Sequence, residues 1–187
     1  DSGMFIRADL YKALFRHQRV GVKWMFELFR QHAGGIVGDE MGLGKTLMVL
    51  SFLEALQSTH FERAGPSKDR LQCGNILVIA PLTLVHHWVK EAHHYVPSMR
   101  VVVLHSILSS SHQDNLQLLE TTKNTLYITT YDYVRINGDT LAEYGWWYVI
   151  LDEGHKIKNS NSKTAVAIKA LPSEYRLLMS GSPIQNN

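Results

Sequence analysis

Short apolar runs recur along the 187-residue chain: GIVG (35–38), NILVIA (75–80), RVVVL (100–104), TLYITT (125–130), WWYVIL (146–151) and YRLLMS (175–180). Most are continuous rather than alternating, which predicts strands of a parallel sheet covered on both faces. Apolar positions at helical spacing between them predict helices over about 14–31, 45–58, 82–95, 111–121 and 161–171. The 45–58 helix is apolar nearly all round, with Ser51, Glu54 and Ser58 on one narrow face, so it is expected to be buried. Pro172 stops the last helix, and Ser160 or Asn161 is expected to cap its start. The βαβα succession in one domain predicts an α/β fold, a mostly parallel sheet with helices on both faces.

The segment 59–74 breaks this rhythm. It lacks periodicity, contains Gly65-Pro66, and reads as an exposed insertion loop. It is either a tolerated surface excursion or a partner-binding loop carrying Lys68 and Arg70.

Composition adds limits. At this length folding removes roughly 70% of the extended chain's surface from water, enough for a full core without staples. The single cysteine, Cys73, has no internal partner for a disulfide, which fits a reducing compartment. No apolar run approaches the ~20 residues of a membrane-spanning helix. The net charge of +2 is too small to demand or exclude a polyanionic partner, so local charge placement matters more.

Candidate chemistry lies just after three of the predicted strands. After GIVG comes DEMGLGKT (39–46), covering Asp39, Glu40, Met41, Gly42, Leu43, Gly44, Lys45 and Thr46. Glycines let the backbone approach an anion closely, and a helix opening at Lys45 aims its free N–H groups at phosphate. Lys45 is expected to reach the β- and γ-phosphates of ATP, and the Thr46 hydroxyl to ligate Mg²⁺. Asp39 stands where the general phosphate-loop pattern has glycine; its side chain and that of Glu40 are expected to turn away and bond loop amides.

WWYVILDEGH puts Asp152 at the end of a buried strand, positioned to hold Mg²⁺, with Glu153 positioned to orient and deprotonate the attacking water. LMSGSPIQNN (178–187) follows the last strand. Ser180, Gly181 and Ser182, within reach of His155, are expected either to carry the state of the γ-phosphate elsewhere or to form a plain polar turn. HHWVKEAHH offers His87, Glu91 and His94 on one helix face, a weak metal pattern without cysteine support. Trp24, Trp88, Trp146 and Trp147 read as core or interface packing.

Together these stretches resemble the first RecA-like P-loop lobe of a Swi/Snf-type ATPase, within the superfamily-two helicases, across nearly all of the chain. LFRHQRVGVKWM resembles the family's adenine-reading motif and implies that Gln18 pairs with the adenine edge. DEMGLGKT resembles motif I, in which Asp39 belongs. IAPLTLVHHWVKE resembles motif Ia, ITTYDYV motif Ib, and DEGH and SGSPIQNN motifs II and III. The DEGH and GSP spellings look most like the Cockayne syndrome group B branch, a transcription-coupled repair translocase.

The resemblance implies an ATP- and Mg²⁺-dependent translocase on double-stranded DNA, nuclear, working on a nucleosome, a stalled RNA polymerase or another DNA-bound complex. Thr83, Thr130 and Lys90 would then face one strand's phosphates, although Lys90 equally suits a solvated helix face. A second RecA-like lobe in cis with arginine fingers is implied, and the first lobe alone is expected to be nearly inactive. Two rivals stand beside this reading: a nucleotide-dependent interaction module without turnover, and a P-loop phosphotransferase. A binding-only module has no need of Glu153, and a phosphotransferase leaves the Gln18 motif and SGSPIQNN unexplained.

Overall fold

A computed structural model describes residues 3–40, 42–64, 74–104 and 124–181. Six strands, β1 (Gly35–Val37), β2 (Ile76–Ala80), β3 (Arg100–Leu104), β4 (Thr125–Thr130), β5 (Trp146–Leu151) and β6 (Ser173–Met179), form one sheet in the order β1-β6-β5-β2-β4-β3. Every pairing is parallel. Parallel pairing places all carboxyl ends on one edge, so each loop leaving a strand emerges on the same rim.

The continuous runs of the central strands β2, β4 and β5 behave as covered strands should, while the edge strands β1 and β3 are partly open. Along β2, Ile76, Val78 and Ala80 enter one buried cluster, while Leu77 and Ile79 enter the other. The first cluster packs beneath helices α2 (Arg16–Arg30), α3 (Lys45–Ala64) and α4 (Leu82–Tyr95) through Val22, Phe26, Leu53 and Trp88. The second packs beneath α5 (Tyr131–Ala142) and α6 (Lys163–Ala170) through Val134, Leu141 and Ile168. Helix α3 is the central pillar, with residues 48–56 all buried, Ser51 and Glu54 included. Glu54 is satisfied there by the Arg7 backbone N–H at 3.3 Å and the Ser58 hydroxyl at 2.7 Å.

Several boundaries differ from the sequence reading. The helix expected over 14–31 is α2, which starts only after Phe15, and a short helix α1 (Ala8–Ala13) that the sequence reading did not expect precedes it. Leu14 and Phe15 are extended, and the Gln18 side chain closes a reciprocal cap on the Phe15 backbone N–H at 2.9 Å. Helix α3 continues to Ala64, six residues past its expected end and up to the Gly65-Pro66 pair in the sequence. Thr59 is buried there: its hydroxyl donates to Ala55 O at 2.6 Å and accepts Phe5 N–H at 2.9 Å. Residues 65–73 of the expected insertion, Cys73 among them, and the expected 111–121 helix lie outside the described residues.

The cap of α6 is Ser162, which accepts Ala165 N–H at 3.2 Å, in place of Ser160 or Asn161. Helix α5 went unpredicted, since YDYVRINGDTLA is poor in strong helix formers. Tertiary packing overrides that preference: a Cβ on Gly138 would meet Ala167 at 2.9 Å, so glycine is what lets α5 press onto α6. The signal available was Thr130, whose side chain caps α5 by accepting Tyr133 N–H at 3.1 Å.

Candidate nucleotide site

The loop after β1 curls through two left-handed glycines, Gly42 (φ 86°) and Gly44 (φ 75°), into the first turn of α3. A side chain at Gly44 would also strike the Gln18 amide, which reaches under the loop to donate from Nε2 to Leu43 O at 3.0 Å. Added carbons at Gly38 or Gly42 would meet nothing within 4 Å, so the hollow of the loop is open. Lys45, almost fully buried, folds its ammonium back onto Asp39 O at 2.8 Å and Glu40 O at 2.9 Å. The two acidic residues thus present backbone carbonyls to the lysine, and the Glu40 side chain is exposed. That resolves how two acids stand beside a phosphate loop: their main chains, not their carboxylates, are what Lys45 meets.

Asp152 occupies the same rim, one strand beyond β6. It is 4% exposed, and its Oδ2 accepts the Trp88 indole N–H at 2.8 Å. Its carbonyl accepts the Tyr131 hydroxyl at 2.6 Å, and its own N–H donates to Ile79 O at 2.9 Å. Burial pushes the carboxyl above the usual range of an aspartate. The Trp88 hydrogen bond opposes that rise, the Glu153 charge adds to it, and the Glu153 backbone N–H and the Lys45 ammonium pull it down. Lys45 and Asp152 are therefore within electrostatic reach of each other. Burial, followed by the charges of Asp152 and Glu153, holds the Tyr131 phenol well above its ordinary value, so it stays a hydrogen-bond donor.

Glu153 adopts the left-handed region (φ 53°), a conformation that costs about 1–3 kcal/mol away from glycine and recurs at functional sites. It opens the 3-10 turn Gly154–Ile157. His155 Nδ1 stands 3.1 Å from Glu153 Oε2. Gly154 is wedged against Leu178 of β6: a Cβ there would come within 3.0 Å of its branched end. Ser180 closes β6 with its N–H on Val37 O at 3.0 Å, directly beside the strand that feeds the glycine loop.

The sequence-predicted residues Asp39, Glu40, Gly42, Leu43, Gly44, Lys45, Thr46, Asp152, Glu153, His155, Ser180 and Gly181 all fall on this rim or in the turns leaving it. Met41 and Ser182 lie outside the described residues. Gln18 is beside the glycine loop, with its oxygen engaged at Phe15 N–H and its nitrogen at Leu43 O. Thr83 and Lys90 are exposed on α4, while Thr130 is buried and employed as the cap of α5. Among the described residues no three His, Cys, Asp or Glu side chains assemble as a metal group.

Sequence reasoning assigned Trp88 to packing and passed over Tyr131. The available signal was physical: a buried indole or phenol needs an acceptor, and strand-end carboxylates are the strongest ones nearby.

The donor set fits a magnesium-bound triphosphate. Helix α3 has first-turn amides that lack intrahelical partners, Lys45 carries a cation, and Thr46 and Asp152 carry oxygens of the hard type that Mg²⁺ would take.

An all-parallel sheet with a phosphate loop after one strand and an acidic pair after another defines a RecA-like P-loop nucleotide-binding lobe. A family model described as the SNF2-related domain matches residues 17–187, and the chain belongs to that family. It is 40% identical over 188 aligned residues to the DNA excision repair protein ERCC-6 of Homo sapiens, covering 100% of this chain and 13% of that protein. It is 33% identical to the DNA repair and recombination protein RAD26 of Saccharomyces cerevisiae, covering 97% of this chain and 20% of that protein. Among solved structures, the Sulfolobus solfataricus SWI2/SNF2 ATPase core in complex with dsDNA superposes with a TM-score of 0.73 at 29% identity. That match covers 97% of this chain and 34% of that one, so the chain spans a minor part of each of these relatives.

Proposed function

We propose that this chain is the ATP-binding lobe of a DNA-dependent ATPase that hydrolyses ATP to ADP and phosphate while tracking double-stranded DNA. The observation that carries the reading is that the glycine loop bearing Lys45 and the strand end bearing Asp152 leave the same rim of one parallel sheet, on either side of β6. Support for DNA as the track comes from the relatives, two of them named for DNA repair, and from the archaeal core solved with dsDNA. The same resemblance favours a nuclear protein that clears or remodels DNA-bound complexes, a stalled RNA polymerase or a nucleosome among them.

In this reading Lys45 leaves its loop carbonyls to pair with the β- and γ-phosphates, and the α3 amides receive the phosphate oxygens. Thr46 and Asp152 hold Mg²⁺, which when bound neutralises phosphate charge. Glu153, aimed by its left-handed backbone, orients the attacking water and takes its proton, with His155 beside it. Ser180, on the strand between the two loops, reports the phosphate state along the rim, and Thr83 and Lys90 on α4 meet DNA phosphates. Gln18 supports the loop at Leu43 O and turns its remaining N–H and lone pair toward adenine.

The test is Glu153→Gln in the full-length protein, assayed for ATP binding and for turnover with and without duplex DNA. Loss of a general base typically lowers the rate about 10²–10⁴-fold. The variant is expected to retain ATP and lose DNA-stimulated turnover. Unchanged turnover, or wild-type turnover indifferent to duplex DNA, rejects the proposal.

A further inference from the structure

Asp152 is held at both ends. Its carboxylate Oδ2 accepts the indole N–H of Trp88 at 2.8 Å, and its carbonyl accepts the hydroxyl of Tyr131 at 2.6 Å. The donors come from two different helices. Trp88 lies six residues into α4, about 9 Å along its axis, and Tyr131 is the first residue of α5. These helices spring from the carboxyl ends of β2 and β4, neighbouring strands on one side of β5. Trp88 is fully buried and Tyr131 nearly so, so neither donor turns to water for a substitute acceptor.

We propose that Trp88 and Tyr131 form a clamp that positions Asp152 for its metal and transmits to it any displacement of α4 and α5. Packing alone would be satisfied by any acceptor near each ring. Here both donors select one residue, the aspartate that ends β5 on the rim that also carries the glycine loop. Magnesium demands near-ideal octahedral geometry, so the orientation of a single carboxylate matters more than its mere presence. With Trp88 on Oδ2, the carboxylate is held in orientation by one of its oxygens. With Tyr131 on the carbonyl, the main chain just before the strained Glu153 is fixed as well. Because α4 also carries the exposed Thr83 and Lys90, a pull on that helix reaches the metal ligand through one hydrogen bond. The clamp rests on the nucleotide-site reading above and adds to it two residues and a route.

Trp88→Phe and Tyr131→Phe in the full-length protein test this. The readouts are the Mg²⁺ concentration that half-saturates binding of a fluorescent ATP analogue, with and without duplex DNA, and thermal unfolding in EDTA. Partners that orient metal ligands typically contribute 10–100-fold to metal affinity, so Trp88→Phe is expected to raise half-saturating Mg²⁺ about tenfold. Tyr131→Phe, which removes one neutral hydrogen bond and no ring, is expected to raise it about threefold. Nucleotide affinity at saturating Mg²⁺ should stay within about twofold for both, on the view that the clamp acts on the metal ligand alone. Duplex DNA should shift the Mg²⁺ requirement of the wild type more than that of either variant.

Lower melting temperatures with the wild-type Mg²⁺ requirement would reduce both residues to packing and overturn the clamp. Should Trp88→Phe fail to fold, Tyr131→Phe decides by itself. A wild type whose nucleotide binding ignores Mg²⁺ would remove the nucleotide reading and the clamp together; Mg²⁺ dependence untouched by either variant removes the clamp alone.

Discussion

Lys45 makes its contacts inside its own loop, to carbonyls five and six residues back, whereas Asp152 is gripped by side chains 64 and 21 residues away. The glycine loop is a local object. Its shape follows from Gly42 and Gly44 in the left-handed region and from the start of α3, and its distant props are Gln18 and His17, at 3.0 and 3.4 Å from the Leu43 carbonyl. The acidic half is a tertiary object, sealed under α4 and α5, with Gly154 pressed against Leu178 of the neighbouring strand. On the proposed reading, a loop that admits and releases a triphosphate gains from contacts it can exchange, and a residue that holds a metal gains from contacts it cannot.

The contrast can be broken, and the largest effect should come from its local side. Lys45→Ala removes the cation aimed at the phosphates and should lower turnover of the full-length protein about 10³-fold, the scale of losing one preorganised charge-stabilising group. Thermal unfolding of the same variant should move little, because both hydrogen bonds of the ammonium go to carbonyls of its own loop. A large loss of stability would show that the loop is tertiary after all.

On the acidic side, Gly154→Ala forces a carbon into Leu178 and should destabilise the fold by about 1–3 kcal/mol, the usual cost of overpacking. Adding Leu178→Ala should recover part of that loss in a denaturant titration; no recovery would mean the strain lies in the turn itself. Gly44→Ala, by comparison, should cost about 1–2 kcal/mol from its left-handed backbone alone, together with weaker nucleotide binding as Gln18 is displaced.

The smallest effect concerns pH. Burial raises the Asp152 carboxyl above its ordinary 3.8, so the native state holds that proton more tightly than the unfolded chain does. Such a group costs nothing below 3.8 and destabilises the fold progressively as pH rises through its native value. In metal-free buffer Asp152→Asn should therefore melt above the wild type at neutral pH, and the gap should narrow toward pH 4. A variant less stable than the wild type at pH 7 would mean that the Trp88 bond and Lys45 outweigh the burial. Activity should fall in the same variant, stability and function trading against each other at one carboxylate.

Periodicity and turn chemistry made much of this protein legible before any coordinates. The six apolar runs became the six strands within two residues at each end, because strands covered by helices are built mostly from apolar residues and so read as continuous runs. DEMGLGKT was equally readable, since a phosphate loop is built from backbone conformations that glycine permits and from a helix start. Both are local properties. Helix α5 was not legible, because its residues are weak helix formers and its existence depends on a cap at Thr130 and on Gly138 meeting Ala167. The break at Leu14–Phe15 was hidden for a similar reason: Gln18, read as a ligand for adenine, also serves as half of a cap.

Residue types and spacing therefore determined the strands, the glycine loop and the identity of the acidic pair. Tertiary structure decided the strand order that seats β6 between the two loops, the burial that raises the Asp152 carboxyl, and the choice of Trp88 and Tyr131 as its partners. The physical reason is range. Backbone conformation and amphipathic pattern are settled within a few residues, whereas desolvation and a hydrogen bond across 64 positions exist only once the sheet has brought the rim together.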